Sequence, residues 1–228
     1  MNYQFILLDV DGTLMDFNAC EAQAFKRGFE TFGFPWSEEV YQTYHELNAR
    51  IWERHERGEL TREELLSLRF NLLFEQVGID GDGEAFESLY REYLADGAFL
   101  ENGAMELLLK LEASACQTYI VTNGLRSTQE KRLRTTGIDR HVDGIFISED
   151  IGWQKPTVEY FDYCFARIPG FVREKAIIVG ESLSADIRGG INAGITTCWY
   201  NPGRKAGREI RPDFEVRTLE EVWRIVAG

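Results

Sequence analysis

The chain has 228 residues, 44% of them hydrophobic, and a net charge of −13 at pH 7. This length suits one large domain, or a core domain with a smaller insertion, and the apolar content is sufficient for a buried core. Nucleic acids and acidic membranes are bound through basic surfaces, so the excess of 38 acidic over 25 basic residues argues against both as main partners.

The first predicted element is a short buried strand, Phe5–Leu8, which is followed by two acidic residues. Four consecutive apolar residues are typical of a strand covered on both faces. Asp9 and Asp11 follow it, two positions apart. Side chains at this spacing share a face of an extended segment, where like charges repel. The pattern therefore predicts a positive charge close to this pair.

The segment 16–96 differs from the rest of the chain because it contains no convincing strand. Its amphipathic patterns at 19–33, 37–59, 61–78 and 84–97 are typical of helices. We therefore predict two domains, an α/β core made of residues 1–15 and 97–228 and an inserted all-helical domain made of residues 16–96.

After this segment, short apolar runs alternate with helical patterns. Gly103–Ala113 has an apolar stripe at helical spacing, and Ser127–Gly137 opens with a serine suited to a helix cap and closes on glycine. The predicted strands are Tyr119–Val121, Ile145–Ile147, Ala176–Val179 and Thr196–Trp199. This alternation predicts an α/β fold class with a Rossmann-like parallel sheet.

Polar residues follow each of the first four predicted strands. Ligands of open α/β sheets bind beyond the carboxyl ends of the strands, so we expect these side chains to converge. They are Asp9 and Asp11, then Thr122 and Asn123, then Lys155, and finally Glu181 and Asp186. Carboxylate oxygens suit Mg²⁺, and a cation, a lysine and backbone amides together suit a phosphoryl group. A carboxylate in such a site can attack phosphorus.

The segments "DVDGT", "VTNG", "QKP" and "GESLSAD" resemble, in this order, the four motifs of the haloacid dehalogenase superfamily. The helical segment resembles the cap that this superfamily inserts after its first motif. The resemblance implies that Asp9 is the nucleophile and Asp11 the general acid and base. It also implies that Thr122 and the Asn123 backbone bind the phosphoryl oxygens and that Lys155 neutralises the nucleophile and the phosphate.

The resemblance further implies an Mg²⁺ cofactor held by the fourth motif together with the first. The implied metal ligands are Asp9, the Asp11 backbone carbonyl, Glu181 and Asp186. The family usually has Gly-Asp where this chain has Gly180-Glu181, so the metal preference is in question here. Haloalkanoate dehalogenases of the superfamily lack an acid at the position of Asp11 and need no metal, so Asp11 favours phosphoryl chemistry.

A weaker resemblance concerns the substrate, which we expect to be a small phosphate monoester. The segments "LNARIW", "IPGF" and "LSADIRGGINAGITTCWYNPG" resemble the pyrimidine 5′-nucleotidase branch of the superfamily. The candidate substrate-binding residues are Phe17, Asn18, Trp52 and Trp153. For each of the three aromatic residues, packing in the core is the alternative interpretation.

Two alternatives from other functional classes stay open at this point. A phosphosugar phosphatase or phosphomutase can use the same scaffold and the same aspartyl phosphate. A non-catalytic binding module can keep the fold without turnover, although intact Asp9, Asp11 and Lys155 argue against it.

The four cysteines and the lack of a long apolar segment favour a cytoplasmic protein. Cys20, Cys116, Cys164 and Cys198 form no Cys-x-x-Cys pattern, and a chain of this size rarely needs disulfide bonds. The first apolar run is too short for a signal peptide, and nothing approaches the roughly 20 apolar residues of a membrane span. We expect reduced thiols and no membrane partner, and the sequence predicts no oligomeric state.

Overall fold

The computed structural model describes residues 1–206 and 209–228 and divides into two compact units. The α/β unit comprises Met1–Phe17 and Ala98–Gly228, and the helical unit comprises Asn18–Gly97. The first boundary lies two residues later than the sequence places it and the second lies one residue later. The assignment of the helical unit as a cap over an active site stays a prediction.

Six strands in the described part of the α/β unit form one parallel sheet. They are β1 (Phe5–Leu8), β2 (Gln117–Thr122), β3 (Gly144–Ile147), β4 (Ala176–Gly180), β5 (Thr196–Tyr200) and β6 (Phe214–Val216). Their order across the sheet is β3-β2-β1-β4-β5-β6. The chain therefore reverses direction across the sheet between β1 and β4, and the carboxyl ends at such a switch point form a ligand crevice in open α/β sheets.

Alternate residues of the central strands explain why the sheet is buried on both faces. Phe5 and Leu7 of β1, together with Val121 of β2 and Ile178 of β4, point to one apolar cluster beside Phe161. Ile6 and Leu8 of β1 are fully buried on the opposite face. Burial on both faces accounts for the continuous apolar runs of the central strands.

The helical unit is built from four helices. They are α1 (Phe17–Phe32), α2 (Glu38–Glu56), α3 (Arg62–Val77) and α4 (Gly83–Asp96). Helix α2 is capped by Ser37, whose side chain accepts a hydrogen bond from the Val40 amide. Helix α3 has a capping box in which Thr61 and Glu64 each accept from the other's backbone amide.

Aromatic rings fill the core of the helical unit. The Tyr44 ring stacks between Phe25 and Phe70, with ring centroids 4.8 and 5.0 Å away, and Phe86 lies 4.6 Å from Phe70. All four rings are fully buried. Each such pair contributes about 0.5–1.5 kcal/mol beyond its buried area, so α1 to α4 are fastened together by these contacts.

A chain of buried polar groups crosses the helical unit. Arg69 of α3 donates two hydrogen bonds to the Glu87 carboxylate of α4, at 2.6 and 2.7 Å, and a third to Asn48 of α2 at 3.2 Å. The Asn48 amide in turn donates to Glu21 of α1 at 2.7 Å. All four helices therefore contribute one member to this chain.

The remaining helices belong to the α/β unit. They are α5 (Ala104–Glu112), α6 (Arg126–Thr136), α7 (Ser148–Ile151), α8 (Val158–Phe165), α9 (Arg188–Ala193) and α10 (Leu219–Ala227). A π-helical segment, Leu183–Ile187, connects β4 to α9 and is capped by Ser182. Widened helical turns of this kind occur frequently at functional sites.

The predicted parallel α/β fold is confirmed, with two local differences. Ser127 is not the cap of α6, because the helix begins at Arg126 and the Arg126 amide donates to the Glu149 carboxylate instead, at 2.7 Å. The second difference is β6, a three-residue edge strand that was not predicted and whose Phe214 is exposed.

None of the helices in the described residues is long and apolar enough to cross a bilayer. All four cysteines are present as free thiols, which agrees with the predicted reduced state.

Candidate active site

Asp9 lies directly after β1, at the switch point of the sheet. Its backbone amide donates to the Val179 carbonyl of β4 at 3.0 Å, which continues the strand pairing by one residue. Its Oδ1 accepts a hydrogen bond from Lys155 Nζ at 2.7 Å and its Oδ2 accepts one from Thr13 Oγ1 at 3.2 Å. The carboxylate is buried, so these contacts fix its orientation.

The Lys155 ammonium group is held by three acceptors. Nζ donates to Asp9 Oδ1, to Asp186 Oδ1 at 2.6 Å and to the Val121 carbonyl at 2.8 Å. An ammonium group has three donors, and here each one has an acceptor. The Asn123 side chain fixes the loop that carries Lys155, because its amide both donates to the Lys155 carbonyl and accepts from the Lys155 amide, at 2.9 and 3.0 Å.

Asp186 lies on the π-helical segment after β4. Its Oδ2 accepts from the Ser182 amide at 3.0 Å, while Oδ1 faces Lys155. A Cβ atom at Gly180 would lie 2.2 Å from the Asp186 carboxyl carbon. The glycine of the fourth motif is therefore required by the close approach of Asp186 to the end of β4.

Glu181, the unusual residue of the fourth motif, lies against the turn that follows Asp9. Its Cγ is 2.8 Å from the position that a Cβ of Gly12 would occupy, and Gly12 has a φ of +75°, which favours glycine independently. The Glu181 carbonyl accepts from the indole of Trp199 at 2.9 Å, and its Oε2 lies 3.4 Å from the exposed Lys205 ammonium group.

The carboxyl groups of this site are poorly compensated for charge. Burial raises the pKa of Asp9 to about 7, against the lowering effect of Lys155 and with further raising by Asp186 and Asp11. Burial also raises the pKa of Asp186 and of Glu181. For Lys155, burial alone lowers the pKa, but Asp186 and Asp9 outweigh it and hold the pKa above its ordinary value. One lysine therefore stands among several buried acids.

Asp11 has a different set of partners from Asp9, although only one residue separates the two in sequence. Its Oδ1 accepts from Arg132 Nη1 at 2.5 Å, and its Oδ2 accepts from Gln129 Nε2 at 2.7 Å. Both donors lie on α6. The Asp11 side chain keeps 28% of its surface exposed, whereas that of Arg132 keeps 1%.

Thr122 ends β2 with its hydroxyl oxygen accepting two hydrogen bonds. They come from the Gly124 amide at 3.0 Å and from Gln129 Nε2 at 2.8 Å. A hydroxyl group has two lone pairs and one proton, so these contacts direct its proton to a further acceptor.

Several residues that contact the predicted site were not predicted from the sequence. They are Thr13, Gln129, Arg132, Ser182, Trp199 and Lys205. Two of them, Gln129 and Arg132, could have been found from the sequence. They lie three residues apart on one face of a predicted helix that has few apolar residues to bury. The others are ordinary turn or strand residues, and their roles depend on tertiary contacts.

The four predicted substrate-binding residues are described within their own units. In the α/β unit, Phe17 is half-buried, and Trp153 is 52% exposed two residues before Lys155. In the helical unit, Asn18 is exposed, and the half-buried Trp52 ring meets the His55 ring edge-on at 5.7 Å. Their substrate contacts stay a prediction.

The predicted magnesium ligands are chemically suited to a hard cation, since all of them offer oxygen. Asp9, Glu181 and Asp186 also carry more negative charge than Lys155 alone offsets. Within the described residues, no group of three or more His, Cys, Asp and Glu side chains is arranged to hold a metal ion. Because Mg²⁺ usually takes one or two carboxylates and keeps several waters, the donor set fits it, and the ligand list stays a prediction.

Comparison with known proteins identifies relatives along nearly the whole chain. The family model for haloacid dehalogenase-like hydrolases matches residues 6–200. The chain is 43% identical over 225 residues to the HAD-hydrolase YfnB of Bacillus subtilis, which covers 98% of this chain and 95% of that protein. It is 34% identical to the pyrimidine 5′-nucleotidase PynA of Streptococcus pneumoniae, with 97% of this chain and 94% of that protein covered.

Two further comparisons bear on function and on fold. The pyrimidine 5′-nucleotidase YjjG of Escherichia coli is 31% identical over 225 residues, with 97% of each chain covered. A crystal structure of YfnB from Bacillus subtilis bound to magnesium superimposes with a TM-score of 0.95 at 42% identity, and all of both chains is covered.

Proposed function

The chain belongs to the haloacid dehalogenase-like hydrolase family, and we propose that it is a Mg²⁺-dependent phosphomonoesterase acting on pyrimidine nucleoside 5′-monophosphates, ribo or deoxy. Membership of the family makes it an enzyme of the hydrolase type. The phosphate monoester substrate, the magnesium and the nucleotidase specificity are the proposed part.

The observation that carries the proposal is the pair of acids after β1 and the different partners of each. Asp9 is buried and bonded to Lys155, which suits a nucleophile held in one orientation. Asp11 is partly exposed at the same strand end, which suits a group that exchanges protons with a leaving group or with water. A hydrolase without an acid at this second position has no such proton donor.

In the first proposed step, an Asp9 carboxylate oxygen attacks phosphorus and the bond between phosphorus and the ester oxygen breaks. The protonated Asp11 gives its proton to the leaving oxygen, so an alcohol departs and an aspartyl phosphate remains on Asp9. The Thr122 hydroxyl, with both lone pairs occupied, donates to a phosphoryl oxygen. Lys155 favours the ionised form of Asp9 and offsets the charge that develops on the phosphoryl oxygens.

In the second proposed step, Asp11 is now a carboxylate and removes a proton from a water molecule. The hydroxide oxygen attacks phosphorus, the acyl–phosphate bond breaks, and Asp9 is regenerated as inorganic phosphate leaves. Asp11 ends this step protonated, as it began the first. The cycle therefore balances with one water consumed and no other reactant.

The residues that would hold Mg²⁺ are Asp9, the Asp11 carbonyl and the acids of the fourth motif, Glu181 and Asp186. When bound, this ion supplies positive charge to the nucleophile and the phosphoryl oxygens. The YfnB structure that resembles this chain was crystallised with magnesium, which supports the choice of ion.

The nucleotidase part of the proposal is supported by two relatives named as pyrimidine 5′-nucleotidases, at 34% and 31% identity over almost the whole chain. The predicted substrate-binding residues Phe17, Trp52 and Trp153 each have an aromatic ring of the kind that stacks on a base. A cytoplasmic location, expected from the sequence, accompanies this proposal and stays a prediction.

The proposal is tested by measuring inorganic phosphate release from a substrate panel. The panel contains thymidine, deoxyuridine, uridine, adenosine and guanosine 5′-monophosphates and glucose 6-phosphate, each with MgCl₂ and with EDTA. We expect kcat/KM to be highest for the pyrimidine nucleotides and release to stop in EDTA. A preference for glucose 6-phosphate contradicts the nucleotidase assignment, product without free phosphate indicates a mutase, and no release from any compound contradicts the phosphatase assignment.

A further inference from the structure

Helix α6 buries Gln129 and Arg132 on a face where an amphipathic helix ordinarily buries apolar side chains. Gln129 is fully buried and Arg132 is 1% exposed. They lie at i and i+3 on the face that Thr128 and Leu133 also bury. A guanidinium group removed from water is costly unless it is paired, so a specific partner is expected for Arg132.

That partner is Asp11, which the two side chains hold by both carboxylate oxygens. Arg132 Nη1 donates to Oδ1 at 2.5 Å and Gln129 Nε2 donates to Oδ2 at 2.7 Å. Gln129 Oε1 accepts from Arg132 Nη1 at 3.2 Å, so the two donors are also fixed to each other. We call this pair the Gln129–Arg132 bracket.

The orientation of the Gln129 amide is determined by its neighbours. Its NH₂ group donates to Asp11 and to the Thr122 hydroxyl oxygen at 2.8 Å, and its carbonyl faces Arg132. The reverse orientation would set the carbonyl oxygen against the Asp11 carboxylate. One buried amide therefore fixes two side chains that come from different strand ends.

Both of these side chains, Asp11 and Thr122, need a defined orientation in the proposed reaction. Asp11 is partly exposed on a turn, where its side chain has rotational freedom without the bracket. Placing a reacting group even about 1 Å off its position can cost on the order of 10²-fold in rate. A salt bridge that served stability alone would not need to engage the proton-transferring acid and Thr122 through the same amide.

We propose that Gln129 and Arg132 are positioning residues for proton transfer, which hold the Asp11 carboxylate in the direction from which it reaches the leaving oxygen and the attacking water. The inference rests on the proposed function of Asp11. Neither residue touches the substrate, and each acts through Asp11, with Gln129 acting also through Thr122.

The test compares Arg132→Met with wild type on two substrates that differ in leaving group. The ester oxygen of thymidine 5′-monophosphate needs a proton to leave, whereas the nitrophenolate of p-nitrophenyl phosphate leaves without one. We expect the single-turnover rate of phosphoenzyme formation to fall about 10- to 100-fold for the nucleotide and less than about threefold for the aryl ester, with KM changed less than about threefold. Arg132→Lys should lose less than Arg132→Met.

A double-mutant cycle supplies the second readout. If Arg132 acts through Asp11, then Arg132→Met should slow the Asp11→Asn enzyme by less than about twofold, although it slows wild type strongly. Gln129→Leu is the second variant, should Arg132→Met fail to fold. It should slow the Asp11→Asn enzyme less than it slows wild type, and the loss that remains reflects its contact with Thr122. Arg134→Met is the matched control, because Arg134 is exposed on the same helix, and it should leave both rates unchanged.

Equal losses of rate for the two substrates, or effects of Arg132→Met and Asp11→Asn that add fully, would show a structural role for Arg132. Either result would overturn the proposal. If the proposed function itself is wrong, the wild-type enzyme will show no Mg²⁺-dependent phosphate release. The two failures are thus separated by whether the wild type or only the variants depart from expectation.

Discussion

The two acidic side chains after β1, Asp9 and Asp11, form ion pairs with different cationic residues. Asp9 shares Lys155 with Asp186, whereas Asp11 meets Arg132 and Gln129. A single shared cation would couple the two acids closely. Separate partners orient the two carboxylates independently, which suits the different roles that the proposed reaction gives them.

Asp9→Asn should abolish turnover and leave the fold intact. An amide oxygen cannot attack phosphorus to give an acyl phosphate, while an amide of the same shape still accepts a hydrogen bond from Lys155. Phosphate release and the far-ultraviolet circular dichroism spectrum check the two parts. Wild-type turnover in a folded variant would exclude Asp9 as the nucleophile.

The same substitution should change the pH dependence of stability in the absence of metal. The pKa of Asp9 is about 7 in the folded chain and 3.8 ordinarily, so the folded state binds this proton more tightly and the contribution of Asp9 to stability falls as pH rises from about 4 to 7. Asn cannot ionise. The variant should therefore gain about 1–2 kcal/mol in free energy of unfolding relative to wild type between pH 5.5 and 8.

Urea unfolding of both proteins in EDTA at these two pH values measures that difference. Lys155 is positive throughout the range and contributes equally at both pH values. A difference between variant and wild type that is constant with pH would mean that Asp9 titrates in the folded chain at its ordinary pKa.

Glu181→Asp should keep most of the activity and lower the Mg²⁺ concentration needed for half activation. The shorter side chain withdraws from Lys205, which lies 3.4 Å from the Glu181 carboxylate and competes with a cation for it. Calorimetric titration of Mg²⁺ measures the affinity without turnover. Lys205→Met is the matched control and should have a smaller effect in the same direction, since Lys205 is 73% exposed. An unchanged affinity in Glu181→Asp would remove Glu181 from the ligand list.

At the residue scale, the sequence predicts a site residue only where that residue lies at or just after the end of a predicted strand. Thr122 ends a strand of the parallel sheet, and Asp9, Lys155, Glu181 and Asp186 follow such strands, so the sheet topology predicts that they lie at one edge. The bracket on α6 did not follow, because a buried arginine contradicts the apolar stripe expected of a helix. Its partner is more than a hundred residues away in sequence, at Asp11.

At the scale of elements, the strands and helices that could be predicted are those with a regular spacing of apolar residues. The central strands are continuous apolar runs because both faces are buried, and the helices of the helical unit show the helical period. The strand β6 was not predicted because it is only three residues long and has the charged Glu215 at its centre, so it shows no apolar run. The π-helical segment Leu183–Ile187 was missed as well, since its geometry depends on contacts of Ser182 and Asp186 and not on period.

Arg69→Met tests the buried polar chain that joins the four helices of the helical unit. Removing the guanidinium group leaves the Glu87 carboxylate buried without its bidentate partner, which should cost about 3–5 kcal/mol. Adding Glu87→Leu should recover much of that loss, because the pair is then replaced by apolar groups. Thermal unfolding of the full chain measures both.

Arg91→Met is the control for this experiment. Arg91 also pairs with Glu87, at 3.4 Å, but its side chain is 37% exposed. Exposed ion pairs contribute about 0–1 kcal/mol, so the loss should stay within that range. Similar losses of unfolding free energy in Arg69→Met and Arg91→Met would show that burial does not strengthen the Arg69–Glu87 pair.

At the scale of the whole molecule, the chain leaves the α/β unit after Phe17, nine residues beyond the end of β1, and returns to it at Ala98. The predicted catalytic and metal-binding residues all belong to the α/β unit. In the proposed reaction those residues contact the phosphoryl group, which is the same in every phosphate monoester. Selection of the leaving group is therefore expected from the predicted substrate-binding residues.

Trp52 in the helical unit offers the sharpest test of that division. Stacking of a base on an aromatic ring contributes about 1–3 kcal/mol, which corresponds to a change of about 5- to 150-fold in affinity. Trp52→Ala should accordingly raise KM for thymidine 5′-monophosphate by a factor in this range. For p-nitrophenyl phosphate, which lacks a base and a sugar, KM should rise less than about threefold, and kcat should change little for either.

The matched control is Trp36→Ala, in the same unit. Trp36 is 42% exposed and lies under the Lys26 ammonium group at 5.5 Å, outside the predicted substrate-binding set. It should leave KM unchanged for both substrates. Equal increases of KM for the nucleotide and the aryl ester in Trp52→Ala would mean that Trp52 supports the helical unit through its contact with His55 and does not bind the base.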